Sequence, residues 1–75
     1  MRDRDEVVPL RFTWDEEADA GYLHLTGVGR GEAVVQRIVE VEGPGEVVLD
    51  LDAEGRVLGI EFLGDALLPP GLSGV

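Results

Sequence analysis

The chain is 75 residues long, with sixteen Asp and Glu against six basic residues and a formal net charge of −10. That length carries one domain, since independent cores usually need about 50 residues or more. Having no Cys excludes disulfides, thiolate zinc and thiol catalysis, one His leaves no usual structural zinc set, and the acidic field repels phosphate backbones, so direct nucleic-acid binding is not expected.

Residues 1–8 read as a charged lead-in. Met1 is followed by Arg2, Asp3, Arg4, Asp5 and Glu6, unlike the basic-then-apolar opening of a signal peptide. No apolar run nears the roughly 20 residues that cross a bilayer. A cytoplasmic protein without membrane contact is the expectation. All the basic residues are Arg, Asn is absent and Gln36 is the sole Gln; scarce amides are compatible with a heat-adapted source, although Lys is usually enriched there, and a GC-rich genome would produce the same bias.

From Pro9 the pattern becomes β-like. Leu10, Phe12 and Trp14 alternate with Arg11, Thr13 and Asp15, a period of two. The acidic stretch from Asp15 to Asp19 connects this run to the next, with room for one helical turn. Residues 20–26 alternate again and set Leu23 and Leu25 on the face opposite Tyr22 and His24. Gly27, Gly29 and Gly31 supply a turn. Ala33 to Val41 is a third, β-branched run, ended by Gly43-Pro44-Gly45. Val47, Leu49 and Leu51 form a fourth strand. Ala53-Glu54-Gly55 reads as a hairpin loop with Gly in the left-handed position. Residues 57–63 are the fifth strand, and 65–75, with Pro69-Pro70-Gly71, form a tail with at most one helical turn at Asp65 to Leu68.

The fold class that follows is mainly β: an antiparallel meander of about five short strands over residues 9–64, sequential strands being usually neighbours. One conflict stands in the pattern. A loop closed by Gly55 sets Asp52 against Arg56 and Leu51 against Val57, which then pairs Asp50 with Leu58 and mixes acid with apolar on both faces. The third and fifth runs are also apolar on both sides. Sheets of that kind cover their second face, and in so short a chain the expected cover is another copy, a homodimer.

Two segments carry a resemblance. Trp14-Asp15-Glu16-Glu17-Ala18-Asp19-Ala20-Gly21-Tyr22-Leu23-His24-Leu25 is similar to "YDPEADALYIRL", and residues 48–63, from Val48 through Asp50, Asp52, Gly55 and Gly59 to Leu63, to "VVDYDEDGRVVGIEIL". With the valine-rich run between them, residues 10 to 64 resemble the bacterial family called domain of unknown function 2283. The resemblance implies a small single-domain cytoplasmic protein, with an antitoxin-type binding role as its one functional hint. The chain departs from the pattern at Glu16, where Pro is common, and at Gly21, where a larger apolar residue is usual.

Few residues carry a chemical signal. Asp50, Asp52, Glu54 and Gly55, with Glu61 beyond, nearly match the spacing of a calcium-binding EF-hand loop. That motif needs Asp or Asn where Glu54 stands and a helix on each side, whereas both flanks here are β-like. A hairpin with solvated acids is the favoured reading, and no cofactor is expected. Asp15, Glu16, Glu17 and Asp19 could hold magnesium or act as acid and base, but such charge runs are usually solvated turns, with Asp15 as a cap and Asp19 accepting backbone N–H bonds. His24 is the one side chain that titrates near neutrality unaided, and with Tyr22 it could line a shallow pocket with Asp15 or Asp19. No nucleophile accompanies it: Ser73 is in the tail, and Thr13 and Thr26 have no signature context. Gly27-Val28-Gly29-Arg30-Gly31 lacks the Lys and following helix of a phosphate loop. Trp14 and Tyr22 are candidate interface anchors.

The favoured functional reading is a protein-binding module, a homodimer meeting a basic partner in an antitoxin-like or assembly role. The alternative is a small hydrolase or metal-dependent enzyme built on His24 with Asp15 and Asp19.

Overall fold

Period-two alternation needs a partner strand for its backbone and a surface for its apolar side, and five such segments find each other here. The computed structural model describes residues 3–25 and 35–72. Its strands are β1 (Arg11–Asp15), β2 (Ala20–His24), β3 (Val35–Val39), β4 (Glu46–Leu51) and β5 (Val57–Leu63). All pair antiparallel in one five-stranded sheet, as the alternation indicates. The glycine-rich turn expected at residues 27–31 lies outside the described residues. No described residue is helical, and no helix is long and apolar enough to cross a membrane.

The strand order is β1-β2-β5-β4-β3. A meander running in sequence order throughout would put β3 beside β2. Instead β3, β4 and β5 form a three-stranded meander of their own, and β5 docks on β2 to join it to the β1–β2 hairpin. This leaves β1 and β3 as edges. The most apolar strand, β5, then lies near the middle, where pairing on both sides shields it. β3 lies at the rim, and all five of its residues are exposed.

The β4–β5 conflict is resolved by a bulge. Asp52 N–H donates to Arg56 O (2.9 Å), so the turn keeps its register, and Leu51 lies opposite Val57. The next pair is Asp50 with Gly59, so Leu58 is one residue too many on β5. Inserting it shifts every later pair by one, and Leu49 meets Ile60 while Val47 meets Phe62. Turn and faces are thereby both satisfied. The Leu58 carbonyl accepts from Leu25 N–H across on the β2 side (3.0 Å).

Residues directly opposite one another share a face. One face carries Phe12, Trp14, Leu23, Val47, Leu49, Ile60 and Phe62. Gly21 sits among them, opposite Trp14, and a Cβ there would come within 2.7 Å of the Phe12 and Trp14 rings. The departure noted at Gly21 therefore has a partner: the rings lie where its side chain would be, an aromatic shield over a strand glycine. The other face carries Arg11, Thr13, Tyr22, His24, Asp50, Glu61 and Gln36, with Val48 as a buried apolar exception.

The connections follow their residues. Asp15 Oδ1 accepts the N–H groups of Glu17 (3.0 Å) and Ala18 (3.3 Å), capping the β1–β2 turn. Asp19 takes a left-handed φ of 53° that lets its carbonyl accept Gly64 N–H (2.7 Å). Gly55 has the expected positive φ, 83°. At 65–68 a single turn forms, with Leu68 N–H donating to Asp65 O (3.3 Å), and Leu67 packs over Gly45 at the start of β4.

Candidate functional site

The polar face holds a side-chain network drawn from four of the five strands, which crosses β5 over Gly59. Alternation puts Tyr22 and His24 side by side along β2, and their rings meet edge to face at 4.6 Å between centroids. Opposite His24, on β5, stands Gly59, and opposite Gly59, on β4, stands Asp50. Because Gly59 has no side chain, the Tyr22 ring lies across it; a Cβ there would fall inside the hydroxyl and ring of Tyr22. The hydroxyl so placed donates to Asp50 Oδ2 at 2.8 Å. Asp50 Oδ1 accepts from Gln36 Nε2 on β3 at 3.0 Å. At the other end Thr13 Oγ1 on β1 lies 3.4 Å from His24 Nε2, with donor and acceptor set by the imidazole tautomer.

Chemically this is a phenol, a carboxylate and an imidazole aligned on an open sheet surface. Each oxygen of Asp50 accepts a bond from within the sheet. The arrangement couples strands, and no buried side-chain N or O in the described residues lacks a partner.

The residues singled out in the sequence separate into three places. Tyr22 and His24 come together. Asp15 and Asp19 do not join them: Asp15 lies opposite Ala20 at one end of the hairpin, and His24 opposite Arg11 at the other. The carboxylate at Tyr22 is Asp50, with Glu61 directly across from Tyr22 on β5. Trp14 and Tyr22 occupy opposite faces, Trp14 with the apolar group and Tyr22 in the polar network. Gln36, Gly59 and the Asp50–Tyr22 bond were missed; an isolated glycine inside a strand pattern, which marks close approach by a neighbour, was the available signal.

Asp52 and Glu54 belong to the β4–β5 turn. Asp52 Oδ1 accepts the N–H groups of Glu54 and Arg56, each at 2.9 Å, and Oδ2 accepts Arg56 Nε at 2.8 Å. Glu54 Oε1 accepts Arg56 Nη2 at 2.7 Å. Two of the four acids with EF-hand spacing thus answer an arginine, while Asp50 and Glu61 face elsewhere. Among the described residues no three of His, Asp and Glu converge as a metal set.

The Arg56 main-chain N–H, above all, holds the Asp52 carboxyl below its usual range; partial desolvation opposes this, and the Arg56 guanidinium and Glu54 N–H reinforce it. A carboxyl depressed on folding adds stability above its unfolded pKa, about 3.9, and that stability is lost as pH falls through the folded value. Thermal melts at pH 6 and pH 3 should therefore show a smaller acid-induced fall in Tm for Asp52→Asn than for the parent. Equal falls would mean that Asp52 does not carry the acid sensitivity.

A family model described as "Protein of unknown function (DUF2283)" matches residues 11–64. No curated protein and no solved structure matches the chain.

Proposed function

We propose, from the premise that the chain belongs to the DUF2283 family, that it is a protein-binding module which completes its core against a second copy of itself. The observation that carries this reading is the state of the core. Among the described residues three apolar side chains are buried, Val48, Leu51 and Phe62 at 7%, 8% and 6% exposure, and none is fully enclosed. Phe12, Trp14, Leu23, Leu49 and Ile60 are only half-buried on one face of a single sheet layer. Stable domains are built of at least two packed layers, so a sheet face in this state calls for a second surface against it.

Charge selects among further partners. Acids crowd one end of the sheet, Asp15 to Asp19 at the β1–β2 turn, whereas Asp52 and Glu54 at the other end are paired with Arg56. A basic protein fits such a rim, as an antitoxin-like or assembly role would require, and its steering weakens as salt rises. The catalytic alternative has less support, because Asp15 and Asp19 stand far from His24 and both oxygens of Asp50 are engaged. Sedimentation velocity at micromolar concentration tests the reading: it should give a particle of twice the 8.1 kDa chain mass. A monomer throughout that range would overturn it.

A further inference from the structure

We propose that two copies join along the outer edge of β1, antiparallel about a two-fold axis at Thr13, so that one sheet runs unbroken through both; this rests on the self-association just described and names its surface and register.

The backbone of β1 is already aimed. Leu25 N–H donates to Leu58 O, and Asp19 O accepts from Gly64 N–H, so the odd-numbered residues of β2 direct their main-chain groups toward β5. By the alternation of an antiparallel ladder, Ala20, Tyr22 and His24 direct theirs toward β1, where Asp15, Thr13 and Arg11 are opposite. Phe12 and Trp14 are left with N–H and C=O pointing off the sheet. A two-fold axis at Thr13 brings Phe12 against the partner's Trp14 and Trp14 against the partner's Phe12, so the outward-aimed groups meet each other and no others.

The side chains agree with that register. Arg11 falls opposite the partner's Asp15, and Asp15 opposite the partner's Arg11, two opposite-charge pairs of the kind that stabilise neighbouring strands. Arg11 has no ion pair among the described residues, although the chain holds sixteen acids. Asp15 uses Oδ1 for its turn and accepts no described bond at Oδ2. On the apolar face Phe12 and Trp14 form aromatic cross-strand pairs with their counterparts, extending the apolar surface across the junction. No proline or bulge interrupts β1, although such devices normally blunt an edge. The β3 edge exposes Val35, Ile38 and Val39 but offers no charge complementarity: Arg37 is its one charged residue, no acid on β3 answers it, and a two-fold axis at its centre would oppose Arg37 to itself.

The absence of Cys makes the register directly testable. At a non-hydrogen-bonded antiparallel pair the Cα atoms lie about 4.5 Å apart, within the roughly 4.4–6.8 Å that a disulfide spans. Thr13→Cys should therefore oxidise to a covalent dimer on a non-reducing gel at least tenfold faster than Gln36→Cys on the β3 edge. Arg11→Asp, which opposes acid to acid at both ends of the junction, should raise the dimer dissociation constant about tenfold at low salt, in line with like-charge cross-strand pairs. A dimeric parent whose Thr13→Cys variant links no faster than Gln36→Cys discards the β1 edge and leaves self-association standing. A monomeric parent overturns both.

Discussion

Replacing Phe62 by Ala should cost about 3–5 kcal/mol, the usual price of emptying a buried aromatic site. For a chain of 75 residues total stability is on the order of 4–11 kcal/mol, so the substitution should remove a large share of it. The reason is position. Phe62 lies on β5, paired to Val47 on one side and Gly21 on the other, and Gly21 is the point over which the Phe12 and Trp14 rings close. With 6% exposure it is the most enclosed apolar side chain described. Removing the ring leaves a void between Val47 and Gly21, whose strands are held in place by pairing on both sides. Phe62→Leu, which keeps most of the volume, should cost under about 1.5 kcal/mol. Urea unfolding at fixed protein concentration measures both, since association makes apparent stability depend on concentration. A loss below about 1 kcal/mol for Phe62→Ala would show that the sheet has no core at this point.

The second large effect is expected at Gly59. Alanine is ordinarily the better residue inside a strand, because glycine loses more chain entropy on folding. Here the sign reverses. The added methyl occupies the place of the Tyr22 ring, which must swing away from Asp50 and from His24. Overpacking costs about 1–3 kcal/mol and a hydrogen bond to a charged group about 1.5–3 kcal/mol, so Gly59→Ala should lose roughly 2–4 kcal/mol once some relaxation is allowed. A double-mutant cycle isolates the cause. In a Tyr22→Ala background the same substitution should cost nearly nothing or stabilise, giving a coupling above about 1 kcal/mol. Additive losses would mean that Gly59 is required for some reason other than the tyrosine above it.

Both effects stem from residues whose importance is nonlocal, and this separates what was legible in the chain from what was not. The strands were readable one by one. Leu10-Arg11-Phe12-Thr13-Trp14 and Val57 to Leu63 alternate or run apolar as strands must, and Gly43-Pro44-Gly45 and Ala53-Glu54-Gly55 punctuate them with residues that accept positive φ. Alternation within β2 was enough to place Tyr22 beside His24. It could not name their carboxylate, because the nearby acids, Asp15 and Asp19, lie at the far end of the hairpin, while Asp50, 28 residues away along the chain, lies within hydrogen-bond reach. The β4–β5 register posed a choice between a well-formed turn and well-sorted faces, and the bulge at Leu58 satisfied both.

The amino-acid order by itself determined the class of fold, the number of strands, most turn positions and the acidic character, all properties of short windows in which each residue's conformational preference and period act locally. Only the tertiary structure decided that β5 enters between β2 and β4, that Gly21 and Gly59 are seats for aromatic rings, and that Asp50 rather than Asp15 meets the tyrosine. Those outcomes depend on which apolar faces bury one another across long loops. Period-two alternation says which side of a strand a residue occupies, but every antiparallel neighbour satisfies the same backbone bonds, so the choice among neighbours falls to packing.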